Sequence, residues 1–177
     1  MTNKFAHLLV IPSLFIAFAS FAENTAPPAD QVSISAEKQL AQLKDNIGIF
    51  EKNVEIIHGN RRIKADRLEV HKREDLGNNK QLLVATGNPA YFEEKQTDGT
   101  IMSASADEVR YDVAKRYLTL IGNAQVTQAG QKINAKSITY DMDQQLISAE
   151  KGASSNDRVH TILVPVDSKK DKSKGQP

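Results

Sequence analysis

The chain has 177 residues, no cysteine, no tryptophan, and 23 basic against 22 acidic side chains. This composition excludes disulfides, thiolate metal sites and cysteine nucleophiles. The near-neutral balance offers no concentrated basic face for a nucleic-acid partner, and the length suits one domain with a modest core.

The chain opens with one positive charge at Lys4, an almost unbroken apolar run over residues 5–18, and Ser20-Phe21-Ala22. Small residues stand at the two positions a signal peptidase reads, so residues 1–22 are expected to be a cleaved signal peptide and the protein to be exported. An uncleaved anchor is the alternative, but the run is marginal in length for a bilayer and broken by Pro12. Lys4 is the only Lys or Arg of the segment, which leaves a mature chain balanced at 22 basic to 22 acidic residues. A short linker, 23–30, would follow.

Beyond Asp30 the pattern has period two. Val32 and Ile34, Ile63 and Ala65, Leu68 and Val70, Tyr111 and Val113, Leu118 and Leu120, Ile138 and Tyr140 alternate with polar neighbours. Such runs predict half-buried antiparallel strands. The segments around Gly59-Asn60, Gly77-Asn78, Asp98-Gly99 and Ala129-Gly130 supply turns that reach positive φ without large strain. The fold class is all-β. One segment, 36–44, is rich in helix formers behind an N-cap at Ser35, so local propensity there favours a short helix while the repeat pattern favours a strand.

The repeat is Lys52-Asn53-Val54, Gly87-Asn88-Pro89 and Gly122-Asn123-Ala124, with the Asn residues 35 apart. An apolar strand is expected on each side of each Asn. A second block follows each copy, centred on Ala65-Asp66, Ala106-Asp107 and Ala135-Lys136. Repetition of this kind implies a supersecondary unit stacked on copies of itself, with an unpaired strand edge at either end.

Catalytic groupings are absent from the sequence. After residue 22 only His58, His71 and His160 remain, at spacings that match no metal motif. Asp107 and Glu108 are strand neighbours that point to opposite faces, and Asp141 and Asp143 flank a predicted turn. No catalytic residue, metal or cofactor is expected, and the chain reads as a binder. The tail, 167–177, holds Lys169, Lys170, Lys172 and Lys174 among small polar residues and predicts disorder.

The apolar leader, the Ser-Ala-Glu-Lys opening at Ser35, the Asn repeats, the block from Ala106 to Asp112 and the strand 158–165 together resemble the OstA-like family of lipopolysaccharide-transport proteins. The resemblance covers about residues 30–165 and sets the domain at 31–166. It implies a twisted, partly open antiparallel β-jelly roll, V-shaped in section, working in the periplasm of Gram-negative cells. The acyl chains of lipopolysaccharide (lipid A) would lie in its groove. It further implies end-to-end homo-oligomers, an LptC-like inner-membrane protein at the N-terminal edge and an LptD-like outer-membrane protein at the C-terminal edge. Carried over by position, Val32, Ile34, Phe92, Tyr111 and Val113 would contact acyl chains. Val32 and Ile34 at one end, and Thr161, Ile162, Leu163 and Val164 at the other, would form the pairing edges. Two other readings compete: an exported carbohydrate-active enzyme on a repetitive β scaffold, and a structural protein that self-assembles through its edges.

Overall fold

A computed structural model describes residues 31–42, 44–73 and 80–163. The expected signal peptide and linker, the turn around Gly77-Asn78, Val164 and the Lys-rich tail lie outside the described residues.

Ten strands form one antiparallel sheet: β1 Val32–Ser35, β2 Lys38–Gln42, β3 Ile47–His58, β4 Arg61–Lys72, β5 Gln81–Lys95, β6 Ile101–Asp112, β7 Tyr117–Gln128, β8 Gln131–Asp141, β9 Leu146–Glu150 and β10 His160–Leu163. The order is β1-β3-β4-β5-β6-β7-β8-β10, with β2 beside β3 and β9 beside β8, and the sheet does not close. The all-β expectation holds, and 36–44 contains strand β2 rather than a helix. Pairing of Lys38–Gln42 with residues 47–51 of β3 outweighs its local helical preference.

Every long strand is interrupted near its middle. The pairing register shifts at Glu51/Val54, Lys64/Arg67, Thr86/Ala90, Ser105/Glu108 and Ile121/Ala124. These irregularities line up as a crease that divides the sheet into two leaves. Leaf A holds β2, β9 and the halves nearest residues 47–51, 67–72, 81–86, 108–112, 117–121 and 137–141. Leaf B holds β1, β10 and the remaining halves. Bulges bend strands and raise local twist, and this row of them folds the sheet over on itself.

The repeated Asn residues sit on the crease. The sequence pattern implies two separate strands around each Asn, whereas the structure runs one strand through it. Asn53 and Asn123 have φ of 48°, in the left-handed region that Asn tolerates better than most residues. Asn123 Nδ2 donates to both carboxylate oxygens of Asp107 at 3.1 and 3.0 Å, and the Asn88 N–H donates to Asp66 Oδ2 at 3.2 Å. Asn53 Nδ2 donates to Glu37. The second blocks of the first two repeats thus supply the acids, Asp66 and Asp107, that hold the crease of the next strand, while Asn53 is held by Glu37 ahead of the repeats. Gly122, at φ 78°, has no room for a Cβ, which would lie 2.3 Å from Asp107 Oδ2.

The inward faces of both leaves form one core. On leaf A, Phe50, Leu68, Ala85, Val109, Leu120, Ile138 and Ala149 are successive cross-strand partners. On leaf B, Ile34, Ile56, Ile63, Phe92, Ala104, Val126, Ile133 and Thr161 are. Beside the crease the partners are small: Ala90 faces Ala106 and Ala124 faces Ala135. Small side chains let the two leaves approach closely beside the crease.

Replacing Asn123 tests the crease. Asn123→Gly keeps the left-handed backbone and loses the bonds to Asp107, at about 1 kcal/mol. Asn123→Val adds backbone strain of roughly 1–3 kcal/mol. Urea unfolding should rank wild type above Gly and Gly well above Val.

Candidate functional site: a creased apolar trough with unpaired ends

The site is the space between the leaves. Three of the five residues expected to touch acyl chains, Val32, Ile34 and Val113, are partly buried against the core at the N-terminal end. Together with Val70 and Leu83 they line a cavity of about 470 Å³. A neighbouring cavity of about 290 Å³ shares Ile34 and Val70 and adds Phe50 and Ala41. Gln31 and Gln81 also line the larger cavity, so the end of the body where β1 and β2 lie is open, with a mixed polar and apolar mouth beside a mainly apolar recess. Phe92 and Tyr111, the other two, are deeper, with exposures of 0% and 1%. They belong to opposite leaves and to the same hydrophobic cluster.

The outermost positions mark the ends of the trough. β1 and β2 cover one side of β3, and β9 and β10 cover one side of β8. Among the described residues no strand pairs with their far sides. Thr161, Ile162 and Leu163 lie in β10 as expected; Ile162 and Leu163 are 55% and 65% exposed, as is Leu146 of β9 at 54%. Open strand edges carrying large apolar side chains are features that monomeric proteins usually avoid.

The interior also holds a polar cluster that sequence reasoning missed. Arg61 and Glu94 are direct partners across β4 and β5, paired at 2.8 Å with side chains only 8% and 5% exposed. Gln96 Nε2 donates to Glu94 at 3.1 Å. His58 Nδ1 shares a hydrogen bond of 2.9 Å with the Tyr111 hydroxyl, from leaf B to leaf A. Burial raises the pKa of Tyr111 against the opposing charge of Arg61. Burial also raises that of Tyr140, and the Glu94 carboxylate adds to the shift. Alternation would have found the charged pair: Arg61 has the parity of Ile63, and Glu94 that of Phe92, so both must face inward. His58, at the end of β3, matches no metal motif in the sequence and makes a hydrogen bond from one leaf to the other.

The remaining candidate groups have local roles. His71 pairs with Glu69, which also binds Arg67. Asp141 Oδ1 accepts the N–H groups of Asp143 and Gln144 and so closes the predicted turn. Among the described residues, no group of three His, Asp or Glu could hold a metal ion.

Among the described residues the structure is a long antiparallel sheet, creased into a trough with an apolar interior, whose terminal strands have unpaired far edges. The same architecture occurs in a solved structure, LptH of Pseudomonas aeruginosa, described as the LptA-homologous periplasmic component of the conserved lipopolysaccharide transport device. It superposes with a TM-score of 0.70 at 20% identity, covering 78% of this chain and all of that one. Residues 33–146 match the family described as LptA/(LptD N-terminal domain) LPS transport protein. Lipopolysaccharide export system protein LptA of Haemophilus influenzae is 30% identical over 93% of both chains. The LptA of Escherichia coli K12 is 31% identical over 99% of this chain and 94% of its own length. The chain belongs to this family of LPS transport proteins, which is not a family of enzymes.

Two stability measurements probe the polar cluster. Arg61→Ala or Glu94→Ala leaves one buried charge unpaired and should cost about 3–5 kcal/mol, whereas the double replacement Arg61→Met with Glu94→Leu should be near neutral or stabilising. Thermal unfolding of the three variants checks the ranking. The phenols of Tyr111 and Tyr140 are held protonated in the folded state, while in the unfolded chain they ionise near 10.0. Their stabilisation is complete below that pH and is lost as pH rises through the raised folded values. The melting temperature should fall on the alkaline side, and Tyr111→Phe with Tyr140→Phe should flatten the fall.

Proposed function

We propose that this protein is a periplasmic lipopolysaccharide-binding bridge that passes the lipid from the inner-membrane machinery to the outer-membrane translocon. The single observation that supports this most is the continuity of the inward apolar rows, which run from Phe50 of β3 to Ala149 of β9 on one leaf and from Ile34 of β1 to Ile133 of β8 on the other, without a capping element among the described residues. Each exposed methylene costs about 0.8 kcal/mol in water, so a lipid with several acyl chains needs such shelter throughout an aqueous crossing. Apolar contacts lack directional bonds, so successive sites along the rows have similar energies and the lipid can move between them.

Val32, Ile34, Phe92, Tyr111 and Val113 form the acyl path in this reading, Val32 and Ile34 at its entrance. The domain spans 31–166, delivered to the periplasm by cleavage of the signal peptide. An LptC-like protein pairs with the N-terminal edge at Val32 and Ile34. An LptD-like protein pairs with the C-terminal edge at Thr161, Ile162, Leu163 and Val164. Copies of the chain join end to end through the same edges by β-augmentation, where backbone hydrogen bonds give affinity.

Photocrosslinking residues placed at Val32 and Val113 in growing cells should yield lipopolysaccharide adducts. Adducts to protein alone would favour the structural alternative and defeat the proposal. Deleting residues 161–163 should abolish concentration-dependent end-to-end oligomers in light scattering, and unaltered oligomers would remove the edge-pairing part.

A further inference from the structure

The N-terminal cavity lies next to the polar cluster. Val32, in the cavity wall, is the cross-strand partner of His58, and Leu83, in the same wall, is the partner of Tyr111. His58 and Tyr111 therefore stand at its inner boundary and join leaf B to leaf A there. Behind them lie Phe92, Met102, Leu118 and Leu120, none more than 1% exposed. Accommodating a hydrocarbon chain there requires the leaves to part, because protein interiors pack without spare volume.

The closure is built from groups ill suited to permanent burial. Apolar side chains at positions 61 and 94 would seal the leaves more firmly than an ion pair that must shed its water. Arg61 Nε is buried with no hydrogen-bond partner among the described residues, and an unsatisfied donor raises the energy of the closed state. Arg61 and Glu94 both belong to leaf B, so parting the leaves need not break their ion pair, although it draws Arg61 away from Tyr111 and Glu94 away from Tyr140 of leaf A. It must break the bond between His58 and Tyr111.

We propose that the part of the acyl path behind His58 and Tyr111 is closed in the lipid-free protein by a leaf-to-leaf latch and is entered from the N-terminal cavity when that latch opens. His58–Tyr111 is the bolt. The buried Arg61–Glu94 pair keeps the closed state from becoming too stable to open. The occupant is a hydrocarbon chain, since Phe92, Met102, Leu118 and Leu120 present it with apolar side chains. The inference rests on the acyl-carrier reading of the trough.

The absence of cysteine lets spin labels be placed at Thr97→Cys and Lys115→Cys alone, both exposed, in the turns that end leaf B and leaf A. The probes are lipid A and, separately, a fluorescent polyene fatty acid, added to the full mature chain. Either probe should lengthen the distance between labels. Tyr111→Phe keeps the ring and removes the bolt, so it should speed uptake of the fatty acid by about twofold to tenfold. Arg61→Met with Glu94→Leu should slow it, because an apolar seal closes more tightly. Opposite signs separate a latch from general loosening: if both variants speed uptake, or if the probe binds with the label distance unchanged, the latch is overturned. If the fatty acid opens the leaves while lipid A does not bind, the latch stands and the lipopolysaccharide reading fails.

Discussion

The fold depends on resetting side-chain parity at the crease. A strand alternates faces with period two, and a sheet folded over must keep apolar residues inward on both leaves. In β4 the inward residues change from Ile63 and Ala65 to Leu68 and Val70; in β6 they change from Ala104 and Ala106 to Val109 and Tyr111. Odd numbers thus give way to even in one strand and even to odd in the other. The register shifts absorb the difference; Asp66 accepts the backbone N–H of Asn88 there, and Asp107 accepts the side-chain amide of Asn123. Without the shifts, half of every strand would turn its apolar residues to water.

A closed centre and an open entrance coexist in one trough. The middle strands bury Leu68, Leu83, Phe92 and Leu120 completely or nearly so, whereas the rows end in half-covered Val32, Ile34 and Ile147. This gradient follows from neighbour count in a stacked sheet: a central strand is packed from two sides and from the opposite leaf, and a terminal one lacks a neighbour. The centre therefore supplies the stability, and the ends keep apolar surface available.

Much of this was legible in the residues. Alternation identified the strand regions, and spacing found the repeat at Asn53, Asn88 and Asn123. The meaning of that repeat was not legible. An Asn behind Gly or Lys reads as a turn between two strands, and only the long-range pairing of Asn123 with Asp107 makes it a crease within one. Likewise the helix formers of 36–44 yield to pairing with β3, an interaction remote in sequence. Of the residues expected in the groove, Val32, Ile34 and Val113 line its cavity and Phe92 and Tyr111 lie deeper inside. The buried charges at Arg61 and Glu94 went unseen because charged residues in strands are ordinarily assigned to the outer face.

Each terminal strand is split. β1 and β2 have 4 and 5 residues, β10 and β9 have 4 and 5, and in both cases the two pieces lie on different leaves. A stray β segment laid along either border gains only a handful of ladder rungs before the backbone turns away around the fold. A correct mate must present two short segments at the matching dihedral angle, so the borders discriminate against adventitious cross-β growth through shape, with no charged gatekeeper required.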